Sequence, residues 1–136
     1  MMEYEKGRAW VKDLRHMGTV TGINFTKQVA SVEVPVYEFG EYGDWMGDFD
    51  TNFAFDELVL MRYTGFSDVW GNEVYEEDIV YDEYLGKYGL IVKNGGLWEI
   101  KWSNKTSDGL EVYEDDVVVV GNRYETPNLY IDNNDT

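Results

Sequence analysis

Tyr88-Gly-Leu-Ile-Val-Lys93, Asn94-Gly95-Gly96 and Leu97-Trp-Glu-Ile-Lys-Trp102 read as two β-type runs joined by a glycine turn, and that reading decides the fold class. Asn-Gly between apolar runs is a strong short-range hairpin signal, because the tight hairpin turns need positive φ, which Asn and Gly adopt at little steric cost. In the second run Trp98, Ile100 and Trp102 fall on one face, with Glu99 and Lys101 on the other. This period of two marks a half-buried strand. A hairpin with one apolar face is only marginally stable alone, so further strands are expected around it.

They are readable on both sides. Upstream, Asp78–Tyr84 reads as a strand, Gly86 as a turn, and Trp70-Gly71-Asn72-Glu73 carries turn chemistry. Downstream, Ser103–Gly109 turns and Val117–Val120 is a buried-type strand. Pro127 is expected to end ordered structure, with Ile131–Thr136 fraying. In the N-terminal half, Thr19–Phe25 alternates, and Val29–Tyr37 reads as a strand with Pro35 at an edge or bulge. Phe39–Phe55, rich in Gly and Asp, reads as a long ordered loop. Phe55–Tyr63 fits a short helix or a strand, and periodicity does not decide. The expected fold is all-β with a minor helix. An SH3-like small barrel, at about residues 73–126, is packed on a small N-terminal β unit. The expected divisions are residues 1–60, 61–130 and a tail at 131–136.

Composition agrees. At 136 residues with 43% hydrophobic content, the chain suits one domain or two small subdomains. Its 22 aromatics (five Trp, eleven Tyr, six Phe) supply large burial surfaces and argue against disorder. No Cys is present, which removes disulfides and thiolate chemistry and suits a reducing cytoplasm. No apolar run approaches the roughly 20 residues that span a bilayer, and no signal peptide is readable. The expected location is therefore a reducing cytoplasm.

Charge narrows the partners. The net charge is −16, from 27 acidic and 11 basic residues. Residues 1–30 carry +2 and the remainder −18. Glu33–Glu57 holds eight carboxylates and Asp68–Glu83 seven, neither with a Lys or Arg. Such a field repels phosphate backbones, so direct nucleic-acid binding is not expected, and it speeds encounter with a basic protein. A solvated, highly soluble surface is the plain alternative.

Most motif readings lose to structural ones. Asp48, Asp50 and Asn52 have the first ligand spacings of a calcium loop, with Asp56 ninth; however, Phe53 replaces the required Gly and Val59 the bidentate Glu. Glu76-Glu77-Asp78 and Glu114-Asp115-Asp116 would perturb one another's titration if their turns met, and the sequence does not say whether they do. His16, the only histidine, falls in an expected turn at Asp13–Gly18 and lacks metal or triad partners. No phosphate-binding or dinucleotide glycine motif is present. No catalytic residue, cofactor or metal is therefore assigned, and the chain is expected not to be an enzyme. Trp45, Trp70 and Tyr84 are the aromatics read as contact residues, with Asp48, Asp50, Glu76 and Glu77 as their acidic surround.

Three blocks resemble a known family. Arg62-Tyr-Thr-Gly-Phe-Ser-Asp-Val-Trp-Gly-Asn-Glu-Val-Tyr-Glu-Glu-Asp-Ile-Val80, Arg8-Ala-Trp10 followed by Lys12, Arg15 and Met17, and Val120-Gly-Asn-Arg-Tyr-Glu-Thr-Pro-Asn-Leu129 are similar, in order, to signature blocks of the YopX family. The resemblance implies a protein carried by bacteriophages and prophages of Gram-positive bacteria and an SH3-like C-terminal unit; it carries no activity. The family has Gly where this chain has Glu77, so either positive φ is not needed there or the turn is rebuilt. Gly65 and Gly121 are expected to allow turns, and Asn122 to bond its own backbone.

Together these readings give a non-enzymatic accessory protein that binds a basic host or phage protein, in the manner of a DNA mimic or counter-defence inhibitor. A second reading is an oligomer that sequesters a small nucleotide between subunits, neutralised by Arg8, Lys12, Arg15, Arg62 and Arg123. Self-association through β edges is open, and charge repulsion opposes it.

Overall fold

The computed structural model describes residues 7–37 and 45–130, the side chains of residues 35–37 and 45–49 excepted. The expected fraying tail lies outside the described residues, as does the part of the expected loop from 39 to 44. By backbone contacts the chain divides into Met1–Arg62 and Tyr63–Thr136.

The first unit is antiparallel throughout. Its strands are β1 (Gly7–Val11), β2 (His16–Asn24), β3 (Val29–Tyr37), β4 (Trp45–Ala54) and the first half of β5 (Leu58–Ser67), in the order β4-β3-β2-β1-β5. Alternation along the strands sends Ala9, Val11, Val20, Ala30, Val32, Val34 and Leu58 into one core, with Phe53, Phe55 and Leu60 packed against it. A 3-10 turn, Phe55–Glu57, precedes β5 and settles the stretch where periodicity was ambiguous.

Two expectations are corrected here and a third is met. Residues 45–54 are a strand rather than part of a long loop, paired with β3 from Val29↔Ala54 to Tyr37↔Trp45. Their Gly and Asp content masks a real alternation: Phe53 packs on the core, while Asp50 accepts from Thr21 Oγ1 at 3.0 Å and Asn52 Oδ1 from Ser31 Oγ at 2.6 Å. His16 opens β2 opposite Val11, so the turn before it is shorter than expected. Pro35 meets its expectation: it lies past the last β2 pair, Thr19↔Glu33, where a missing N–H removes no bond to β2, and just ahead of the bulge at Val36/Tyr37.

The second unit is a meander of β7 (Asp78–Asp82), β8 (Lys87–Asn94), β9 (Leu97–Trp102) and β10 (Ser107–Gly109). One helical turn, α1 (Leu110–Tyr113), then leads to β11 (Val117–Asn122), which returns to pair with β7. The order is β10-β9-β8-β7-β11, and the second half of β5 pairs with short β6 (Glu73–Tyr75). The β8–β9 hairpin closes through Gly95-Gly96, with Asn94 opposite Leu97 and φ +63° at Gly95, the position where a type II′ turn needs glycine. Among the described residues this sheet is open rather than closed into the expected barrel, with β10 and β11 at its edges.

Val74, Val80, Ile91, Ile100, Trp102, Leu110 and Val117 form the core of this unit. Each such side chain contributes about 1.5–3 kcal/mol by burial. Trp102 donates its indole N–H to Asp108 Oδ2 at 2.8 Å and meets Tyr113 edge-on, with ring centroids 5.3 Å apart. Pro127 opens a 3-10 turn, Pro127–Leu129, rather than ending order.

Candidate functional site

Asp68 builds one end of the second unit. It is only 6% exposed, and its carboxylate accepts from the backbone N–H groups of Trp70 (2.9 Å), Asn72 (2.8 Å) and Val119 (2.9 Å) and from the Asn72 amide (3.2 Å). Burial alone raises its pKa, but these donors outweigh it and hold the carboxyl below its ordinary value. The result is a closed loop, Asp68–Asn72, fastened to the β11 edge by Val69 N–H to Val117 O at 3.1 Å as well. An edge strand needs such cover, because its unpaired backbone invites pairing with other chains.

The fastened loop leaves its tip in water. Trp70 is 76% exposed beside exposed Val69. Val117, where the loop attaches, pairs on its other side with Asp82, the last residue before the β7–β8 turn. That turn is held by Asp82 Oδ1 accepting from Leu85 N–H at 2.9 Å, and it presents Tyr84, 96% exposed, with exposed Leu85. Burial and then the charges of Asp108, Asp82 and Asp116 push the Tyr113 phenol above its ordinary pKa. Glu83, Asp115 and Asp116 are exposed here. Two large aromatics thus stand among carboxylates on turns whose backbones are fixed by buried aspartates. Exposed aromatics on rigid loops are the usual anchors of protein interfaces.

The opposite end is built differently. Glu77 has φ +72°, so the left-handed conformation is adopted here without glycine, and of the two alternatives the one in which positive φ is not needed is corrected. Its N–H donates to Ile91 O at 2.9 Å and its carbonyl accepts from Arg123 N–H at 3.0 Å, which fixes the turn to β8 and to the end of β11. Its carboxylate pairs with Arg123 Nη1 at 2.8 Å and accepts from Tyr124 Oη at 3.5 Å. The bond to Glu77 raises the Arg123 pKa, while burial first and then the Glu77 charge raise that of the Tyr124 phenol.

Asn122 bonds its own backbone as expected: its Oδ1 accepts from Tyr124 N–H (3.0 Å) and Glu125 N–H (2.8 Å). Gly65 has φ +87°. Gly121 is not left-handed; it makes room, since a Cβ there would lie 1.9 Å from Thr126 Oγ1.

The predicted residues separate accordingly. Trp70 and Tyr84 share one end, whereas Glu76 and Glu77 sit at the other, before β7 begins. Five residues of strand hold these ends roughly 15 Å apart. Glu114–Asp116 likewise precedes β11 at the Asp82 end, so the two acidic turns do not meet. Asp48 and Asp50 lie on β4 in the first unit; Trp45 begins that strand, and the side chains of Trp45 and Asp48 are outside the described residues. Among the described residues no group of His, Cys, Asp or Glu is placed to hold a metal.

The basic residues are also dispersed. Lys12 donates to Asp56 O at 2.9 Å, and exposed Arg15 has φ +52° in the same turn. Arg8 pairs in register with Met61, and Arg62 with Gly7, which puts their side chains on opposite faces of the first sheet. Arg123 is engaged by Glu77 in the second unit. The residues that sequence reasoning missed are Asp68, Asp78 and Asp82, buried carboxylates that serve turn N–H groups. For Asp68 and Asp82 the signal was an Asp three or four residues ahead of Gly or Asn, which is Asx-turn chemistry; Asp78 instead accepts from Tyr75 N–H, upstream of it, and no such spacing marks it.

A family model described as YopX protein matches residues 6–130. The crystal structure of protein EF1440 from Enterococcus faecalis is similar with a TM-score of 0.63 at 21% identity, over 92% of this chain and 96% of that one, a likeness of fold. No curated protein matches.

Proposed function

The chain belongs to the YopX family, and from that premise we propose that it is a non-enzymatic accessory protein that binds a basic macromolecule through the aromatic end of its second unit. The observation that carries this reading is the exposure of Trp70 (76%) and Tyr84 (96%) on turns locked by Asp68 and Asp82, amid carboxylates. A large aromatic held rigid in water gives up little conformational entropy on binding, and the acidic surround selects a cationic partner. In this reading the protein is phage-encoded and works in the bacterial cytoplasm. There it occupies the nucleic-acid-binding surface of a host or phage protein, as a DNA mimic in counter-defence does.

The test is capture from a bacterial lysate at low and physiological salt, using the wild-type chain and a Trp70→Ser/Tyr84→Ser double variant. The expected result is a basic protein that the wild type retains at physiological salt and the variant loses. Equal recovery by both chains, or recovery of no basic protein, sinks the reading.

A further inference from the structure

The second unit has a cavity that the aromatic end does not use. Its floor is one row of side chains across the sheet: Ile79 pairs with Leu90 and Leu90 with Lys101, on the face opposite the Val80–Ile91–Ile100 core. Ile79 and Leu90 are nevertheless buried, at 1% and 3% exposure. Pro127 and Tyr130 of the segment after β11 form the wall, Lys101 and Arg123 complete the lining, and the space is about 240 Å³.

The wall is held firmly. Asn122 Nδ2 donates to Glu125 Oε1 at 2.7 Å, Thr126 N–H to Asn122 O at 3.0 Å, and Leu129 N–H to Thr126 O at 3.1 Å. Gly121, lacking a Cβ, lets Thr126 close in. Charge makes the site selective. Tyr63–Thr136 carries 16 acidic and five basic residues, and two of those five line this one cavity. Arg123 is oriented by a single bond from Nη1 to Glu77, and a guanidinium carries five N–H donors.

We propose that this cavity binds a small organic monoanion, a carboxylate on an apolar ring or short chain. The carboxylate sits between Lys101 and Arg123, and the apolar body lies on Ile79 and Leu90 against Pro127. The volume lies below the roughly 300 Å³ at which drug-sized sites begin, so the ligand is small. The acidic surround disfavours polyanions such as nucleotides.

The experiment uses the full chain with benzoate and hexanoate as probes, benzamide and hexanamide as neutral controls, and inorganic phosphate as a polyanion. Binding is followed by amide chemical shifts. The carboxylates are expected to move the amides of Ile79, Leu90 and Lys101 saturably, with the neutral amides and phosphate at least tenfold weaker. Lys101→Met keeps the apolar stem and removes the charge, and is expected to weaken benzoate about tenfold. Arg123→Gln should do likewise, with each variant's spectrum reporting that it is folded. Neutral amides binding as well as carboxylates, phosphate binding more tightly than either, or Lys101→Met retaining full affinity would each overturn the proposal. Because Trp70 and Tyr84 lie outside this cavity, the double variant that tests partner capture should bind benzoate unchanged.

Discussion

At Glu77 two effects of similar size oppose each other. A non-glycine residue in the left-handed region costs about 1 kcal/mol, and the half-exposed ion pair with Arg123 returns at most about 1 kcal/mol after solvent screening. Glu77→Gly removes both and should leave stability within about 0.5 kcal/mol of wild type. Glu77→Ala keeps the strain and loses the pair, and should cost about 1 kcal/mol. Urea titration of the three chains checks this order; equal stability of the Ala and Gly variants would mean that the backbone is not strained there. Asp68 is the larger lever. Asn in its place accepts through one oxygen and presents an amide to N–H groups, so Asp68→Asn should cost about 2–4 kcal/mol. Its folded pKa lies below the ordinary 3.8, so its stabilisation is present above that value and lost as pH falls through the folded one. The variant should therefore lose less stability than wild type between pH 5 and about pH 2, as measured by denaturant midpoints.

At the scale of the element, close approach decides more than propensity. A Cβ on Gly89 would meet Ile100 Cγ2 at 2.2 Å and Trp102 Cε3 at 3.0 Å, so β8 passes the core only because this position is bare. Gly89→Ala should cost about 2–4 kcal/mol by overpacking, whereas Gly96→Ala, with nothing within 4 Å, should stay within about 0.5 kcal/mol. Thermal melts of the two distinguish packing from a general glycine effect. The β8–β9 hairpin was legible because its turn chemistry and period-two face agree. β4 was not, because Gly47, Asp48 and Asp50 speak for a loop while their partners on β3, Val36, Pro35 and Glu33, lie more than ten positions away. Local signals likewise named Trp70 and Tyr84 but left open which turns share an end. That follows from β11 returning to β7, a long-range pairing that no local pattern encodes.

For the whole molecule, net charge makes salt act in opposite directions on folding and on binding. At −16 the compact chain repels itself, and added salt screens that repulsion. The melting temperature should therefore rise by a few degrees between about 20 mM and 500 mM NaCl, by the stability-to-temperature scaling of a domain this size. Association with a basic partner should weaken over the same range, mainly through a slower on-rate. The two slopes separate the proposed function from a merely soluble acidic surface. A solvated surface predicts the rise in melting temperature alone. An acidic interface predicts it together with salt-weakened capture that depends on Trp70 and Tyr84. Capture that is indifferent to salt would assign the aromatics to an apolar contact and remove the carboxylates from the interface.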